Sequence, residues 1–392
     1  MTVEMRQASC KGIIICGGPS VGTRFRPLSM TVPKPLFPVA GDAMISHHVR
    51  ALSEVPGMRE ILLIGFFDSN VFDKFILDAL QYTNIPIRYL REYQALGTAG
   101  CLFHFRDEIL RGDTEKIFVM NADICCSFPL KEMIQFHEQK AAMATMMSIP
   151  MDRSELHKYG CIAIDKETKR VTHFVEKPET FISDLISCGI YLFNAQEIIK
   201  EIGSSMEILR RDALEQGMSD IYAGMSSGLR VFIERDVLAR LAGESEPKLY
   251  TMTLNTETDF FRQIKTGSSV IPANKLYLEQ FEKRRTRSMS NTVNSGPEIV
   301  PPVLIHPSAR VDPTCRIGPN VCIGPRAVLS RGARVKNSII LDGVEVGPDA
   351  CVIDAVLGWD SRLGPWSRVE GSPADASHLN ATYKGLKIPA AT

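Results

Sequence analysis

Ile305, Val311, Ile317, Ile323, Leu329, Val335 and Leu341 recur every six residues, and Val346, Val352, Leu357, Leu363 and Val369 extend the series after one-residue slips. Two residues before each of these positions stands a small or β-branched residue, among them Ala309, Cys315, Val321, Ala327, Ala333 and Ala350. Six-residue periodicity with Gly and Pro at the corners is the signature of a parallel β-helix. Each short strand buries one side chain inward, and stacked coils share a continuous core. Chance alternation imitates two such repeats, hardly so long a series.

The first 270 residues follow a different rhythm. Ile13 to Cys16, Ile61 to Gly65, Ile85 to Leu90 and Ile117 to Met120 read as strands, whereas Met44 to Val55 and Val71 to Tyr82 carry apolar residues at helical spacing. Strands alternating with helices predict a mostly parallel sheet covered by helices on both faces, with ligands at the carboxyl ends of the strands. Lys283 to Ser288 and the polar stretch to Pro302 interrupt the pattern and read as a linker.

With 392 residues and 44% hydrophobic side chains, the chain has room for two or three domains. Forty-five basic residues balance forty-five acidic ones, so no global field draws in nucleic acid or an anionic membrane. Any phosphate affinity must be local. The ten cysteines form no C-x-x-C pair, and Cys125 and Cys126 are adjacent, which argues against a zinc site or a disulfide framework. Reduced thiols, the absence of a signal-peptide core in Met1 to Lys11 and the lack of any stretch approaching a membrane span lead to the expectation of a cytoplasmic protein.

One segment concentrates chemistry: "CGGPSVGTRFRPLSMTVPKP", Cys16 to Pro35, places Gly17, Gly18, Gly22, Arg24, Arg26 and Lys34 directly after an apolar strand. Glycines let backbone N–H groups approach phosphate oxygens, and cations neutralise the charge. A plain strand-to-helix turn accounts for the glycines but not for the cations that follow them.

These residues resemble the signature of the sugar-1-phosphate nucleotidyltransferases. Further matches follow in the order of that family: Leu96-Gly97-Thr98-Ala99-Gly100, Asn121-Ala122-Asp123, Tyr159-Gly160, Glu176-Lys177-Pro178 and Cys188-Gly189. The resemblance covers nearly the whole chain. It implies that a sugar-1-phosphate oxygen attacks the α-phosphate of a nucleoside triphosphate in line, by positioning and charge stabilisation. On this resemblance Arg24 and Lys34 hold the triphosphate and Gly97 faces the base. Lys177 holds the sugar phosphate, Glu176 lies near the sugar hydroxyls, and Asp123 binds Mg2+. Gly17, Gly18, Gly22 and Gly160 complete the nucleotide-sugar cradle.

Two departures bear on activity. Active members have one residue between Gly-Gly and Gly-Thr-Arg, whereas Pro19, Ser20 and Val21 intervene here. In "DFFRQIKTG", Gln263 stands where the family's second metal-binding aspartate is expected, Phe261 replaces a tryptophan and Lys265 a glycine. A neutral amide beside a lysine is a poor Mg2+ site, because the ion prefers hard anionic oxygens.

Within the family, "GTRFRPLSMTVPKPLFPVAG", "VEKPETFISDLISCGIYLF" and "GWDSRLGPWSRVEG" resemble the regulatory α branch of the GDP-mannose pyrophosphorylases. That likeness implies a GDP-mannose-binding chain in a hetero-oligomer with a catalytic β subunit, with self-association as a further option. It needs no cofactor to bind, and Mg2+ only if it is active. An active mannose-1-phosphate guanylyltransferase is the alternative. An acyltransferase, suggested by a β-helix alone, has only His306 as a candidate base in the repeats. The expected fold is therefore α/β: a Rossmann-like nucleotidyltransferase domain over 1–272, a connecting segment and linker over 273–302, a left-handed β-helix over 303–371, and an exposed loop and tail over 372–392. The stretch Glu370 to Gly385 is expected to reach the partner's site.

Overall fold

The computed structural model describes residues 8–18, 23–215, 230–243, 248–284 and 296–371, with the backbone of 382–383 and 386–387. The Pro19-Ser20-Val21 insertion, Gly22, part of the linker (285–295) and nearly all of the loop and tail after Gly371 lie outside the described residues. Contacts divide the chain into two compact units, one of Met1–Val21 with Ile45–Phe261, the other of Gly22–Met44 with Arg262–Thr392. The cationic segment after the first glycines thus counts with the C-terminal unit.

The N-terminal unit is built on a nine-stranded sheet. Its strands are β1 (Cys10–Gly17), β2 (Met58–Gly65), β3 (Ile87–Arg91), β4 (Lys116–Asn121), β5 (Ala144–Pro150), β6 (Gly160–Ile164), β7 (Val171–Glu176), β8 (Leu185–Asn194) and β9 (Leu249–Thr253). The order is β7-β6-β8-β4-β1-β2-β3, with β5 also on β8 and β9 on β5. The centre is parallel: β1 pairs with β2 and β4 in that sense, so Ile13 meets Leu62 on one side and Val119 on the other. Strands β6, β7 and β8 add antiparallel pairings. Ile13, Ile14, Leu62 and Leu63 are wholly buried, as expected of parallel strands covered on both faces, and continuous Ile and Leu runs suit that environment. Helices Met44–Ser53, Gly97–His104, Leu130–Gln139 and Ala195–Glu215 flank the sheet in sequence. The helix expected from Val71 to Tyr82 is shorter, a 3-10 turn at Ser69–Val71 and then Asp73–Ala79.

In the C-terminal unit, short parallel strands stack into three sheets of five, four and four strands. Coils first repeat every eighteen residues, Val303 on Val321 and Val311 on Leu329, then every seventeen, Cys322 on Ile339 and Val335 on Val352. The shortening falls one residue earlier than the sequence rhythm suggested. Ile323 stacks on Ile340 and then Leu357, not on Leu341. Ser338 decides the register: small and wholly buried, it stands two residues before Ile340, and its hydroxyl accepts the Ala355 N–H at 3.2 Å. Leu341 is also buried, so hydrophobicity alone did not separate the two. Corner residues Asn320, Asn337, Asp349, Asp354 and Asp360 all have positive φ, a conformation that Asn and Asp tolerate.

The same unit holds the hairpin Pro38–Val39 and Asp42–Ala43, turned through Ala40 (φ 50°) and Gly41 (φ 83°). Two positive φ angles at a two-residue loop match the twist of a tight hairpin. The Ala40 N–H donates to Asn274 Oδ1 at 2.8 Å, and Asn274 is buried in helix Val270–Arg284.

Candidate functional site

Gly17, Gly65, Arg91 and Asn121 close β1, β2, β3 and β4 at their carboxyl ends, the edge where open α/β sheets take their ligands. Gly17 closes β1 in register with Gly65 of β2, and its carbonyl accepts the Phe66 N–H at 2.8 Å. Gly18 follows, buried. Next door Asn121 ends β4, and its carbonyl accepts a hydrogen bond from His48 Nε2 at 3.1 Å, which places the imidazole proton on that nitrogen. Asp123 lies half-buried in the turn that follows.

Gly97 opens helix Gly97–His104 with φ 80°. A Cβ there would lie 2.3 Å from the Val231 carbonyl oxygen, so only glycine allows the two backbones to close. Ala99 and Gly100 donate to that same carbonyl at 2.9 and 3.1 Å. Thr98 extends the contact sideways: its hydroxyl accepts the Ile233 N–H at 2.9 Å and donates to Glu234 Oε2 at 3.4 Å.

Glu234 begins a chain of polar groups absent from the sequence expectations. The Tyr191 hydroxyl donates to Glu234 Oε1 at 3.1 Å and lies 3.2 Å from Ser187 Oγ, which also accepts the Gly189 N–H at 3.2 Å. Burial pushes the Glu234 carboxyl up, and the charge of Glu176 pushes it further. Tyr191 is raised as well, first by burial and then by Glu234. Glu234 sits in a π-helical turn, Ile233–Leu238, a form that recurs at functional sites. The glutamate is legible in the sequence; its burial beside Tyr191 is not.

Gly160 and Glu176 are register partners across β6 and β7, and the Lys177 N–H donates to the Tyr159 carbonyl at 3.1 Å. Lys177 itself has φ 50°, an unusual conformation for a lysine and one that costs energy without glycine's freedom. Its ammonium lies 3.5 Å from Glu176 Oε1, and both side chains are exposed. Strained backbone here aims a cation and a carboxylate outward together.

A second residue outside the expectations is Glu92, just past β3, whose N–H donates to the Gly65 carbonyl at 2.7 Å. The side chain is 6% exposed and its Oε1 has no hydrogen-bond partner among the described residues. Burial pushes its pKa up to about 7. A buried carboxyl oxygen without a partner is costly unless a ligand or water completes it. The sequence shows only an acid after a strand.

A groove of about 570 Å3 lined by Asp113, Lys116, Asn194 and Glu197 lies at the opposite end of the sheet, where β4 begins and β8 ends, and gathers none of these residues.

The remaining expected residues belong to the C-terminal unit. Arg24 is exposed in the 3-10 turn Thr23–Phe25. Lys34 opens the turn Lys34–Leu36, with its ammonium 6.0 Å from the Phe25 ring centroid. Gln263 is half-buried at the end of strand Phe261–Gln263. No group of three or more His, Cys, Asp or Glu side chains among the described residues is placed to hold a metal, and Gln263 offers only an amide. All ten cysteines are free thiols, nine of them buried. No helix among the described residues is long and apolar enough to cross a membrane.

Comparison with known proteins gives two family matches, one described as Nucleotidyl transferase over residues 11–225, the other as GMPPB C-terminal domain over residues 299–382. The chain is 43% identical over 384 residues to a protein of Schizosaccharomyces pombe named "Probable mannose-1-phosphate guanyltransferase", covering 97% of this chain and 90% of that one. It is 45% identical over 368 residues to "Mannose-1-phosphate guanylyltransferase regulatory subunit alpha-B" of Danio rerio, covering 93% and 85%. With "Mannose-1-phosphate guanylyltransferase regulatory subunit alpha" of Dictyostelium discoideum it shares 43% over 373 residues, 94% and 88% of the two chains.

Proposed function

Because this chain belongs to the nucleotidyl transferase family, we propose that it is a regulatory subunit of a mannose-1-phosphate guanylyltransferase, binding GDP-mannose and passing feedback inhibition to a catalytic β subunit. The observation that carries the reading is Gln263, a neutral amide where the family resemblance calls for a metal-binding carboxylate, in a chain that keeps Glu176 and Lys177 poised side by side. The first feature weakens transfer, which needs a metal to neutralise developing phosphate charge. The second favours holding a sugar phosphate, since a lysine and a carboxylate at hydrogen-bonding reach suit a phosphate and sugar hydroxyls. No cofactor is needed for binding on this reading. A sensor without turnover changes flux only if its ligand binds two states of an assembly unequally, so a catalytic partner follows from the reading.

Names among the relatives support it: those of Danio rerio and Dictyostelium discoideum are called regulatory subunits. The Schizosaccharomyces pombe relative, named as a guanyltransferase, favours the second reading, an active mannose-1-phosphate guanylyltransferase. The test is to mix the purified chain with a catalytic mannose-1-phosphate guanylyltransferase subunit and titrate GDP-mannose. The regulatory reading predicts a stable complex whose rate falls with GDP-mannose more steeply than that of the catalytic subunit alone. Equal inhibition with and without the chain would refute it.

A further inference from the structure

Phe37 and Trp359 pack edge to face, ring centroids 5.7 Å apart at 80°. Phe37 in turn meets Phe25 at 5.1 Å and 87°, and both phenylalanines are wholly buried. At the far end of this row the Lys34 ammonium stands 6.0 Å from the Phe25 centroid. Trp359 belongs to a corner of the β-helix, two residues past the end of strand Val356–Leu357. Lys34 belongs to the segment that the family resemblance assigns to phosphate binding.

Backbone links stiffen the row. The Phe37 N–H donates to the Lys34 carbonyl at 3.1 Å, and the Phe37 carbonyl accepts the Met44 N–H at 3.0 Å. Phe37 therefore closes the turn that carries Lys34, and its main chain is tied directly to the lysine's. Edge-to-face geometry is directional, so each ring fixes the orientation of the next. The corner beneath Trp359 is fixed too. Asp360 has φ 54° and packs so tightly on Gly343 that a Cβ there would lie 2.1 Å from Asp360 Oδ1.

We propose that Trp359 is a positioning residue for Lys34, acting through Phe37 and Phe25, so that a phosphate taken by Lys34 is registered at a corner of the β-helix. Two closely packed aromatic contacts favour discrete arrangements over continuous deformation, as a two-state relay requires. The inference rests on the GDP-mannose reading above and adds to it the route by which occupancy reaches the β-helix.

The chain has two tryptophans, and Trp366 is 79% exposed. In the full-length Trp366→Phe variant, Trp359 is the sole tryptophan fluorophore. GDP-mannose is titrated while its emission is followed, with calorimetry run in parallel. The proposal predicts a saturable change in Trp359 emission with the calorimetric Kd. It also predicts about tenfold weaker binding for Trp359→Ala and affinity within about twofold of the parent for Trp359→Phe, which keeps an aromatic edge. Calorimetric binding with silent Trp359 emission would overturn the proposal while leaving the GDP-mannose reading intact. Should Trp359→Ala not fold, the emission arm and Trp359→Phe still decide it. No calorimetric binding by the unmodified chain removes the reading itself, and the relay with it.

Discussion

Gly160 and Glu176 stand opposite each other on two antiparallel strands so closely that a Cβ on Gly160 would lie 2.8 Å from Glu176 Oε2 and 2.7 Å from Phe174 Cζ. The glycine leaves the carboxylate its position. Gly160→Ala is predicted to cost about 1–3 kcal/mol of stability by overpacking against the Phe174 ring. The same change displaces Glu176 and weakens GDP-mannose binding. Thermal unfolding and calorimetry on one preparation check both effects, and unchanged affinity would detach Glu176 from the sugar.

Lys177 offers a way to separate binding from folding, because its φ of 50° is a backbone cost that glycine would not carry. Lys177→Gly is predicted to fold at least as stably as the parent, since glycine adopts that backbone freely. Affinity for GDP-mannose falls about 10- to 150-fold, the equivalent of about 1.5–3 kcal/mol for a lost charge-assisted hydrogen bond. A melting temperature that drops together with unchanged affinity would make Lys177 a structural residue.

Glu92 predicts a pH dependence. Its folded pKa of about 7 lies above the usual carboxylate value near 4.5, so the folded state holds a proton that the unfolded chain has released. Stability from this group is present in full below about pH 4.5 and is lost as pH rises through 7. Glu92→Gln keeps the uncharged form at every pH. The difference in melting temperature between variant and parent is predicted to grow in the variant's favour from pH 5 to pH 8. A constant difference would show that Glu92 is solvated.

How much of this was legible in the sequence depended on whether a residue's role is local. The β-helix announces itself through Ile305 to Val369, because inward positions recur with the coil. Only the slip was misplaced, since Leu341 is as apolar as Ile340 and the deciding contact, Ser338 with Ala355, spans a full coil. Gly17 was expected in a turn leaving the first strand, and it closes β1; Gly97 and Gly160 were expected only from family motifs, and a helix start and a strand start carry them. Val231, which closes on Gly97 from more than a hundred residues away, leaves no local trace. The missing partner of Glu92 and the embedding of Glu234 beside Tyr191 are tertiary properties, invisible in any pattern of residue types. The same holds for Phe37 and Trp359, which lie in motifs more than three hundred residues apart and meet only through the fold.

The central claim is binding without turnover, and one paired measurement on the purified chain tests it most directly. GDP-mannose is titrated by calorimetry with Mg2+ and with chelator, and pyrophosphate release from GTP and mannose 1-phosphate is followed in the same buffers. The account predicts a micromolar Kd, about −8 kcal/mol, indifferent to Mg2+, with pyrophosphate release at background. Sustained Mg2+-dependent pyrophosphate release by the chain alone, or no heat of GDP-mannose binding, would contradict it.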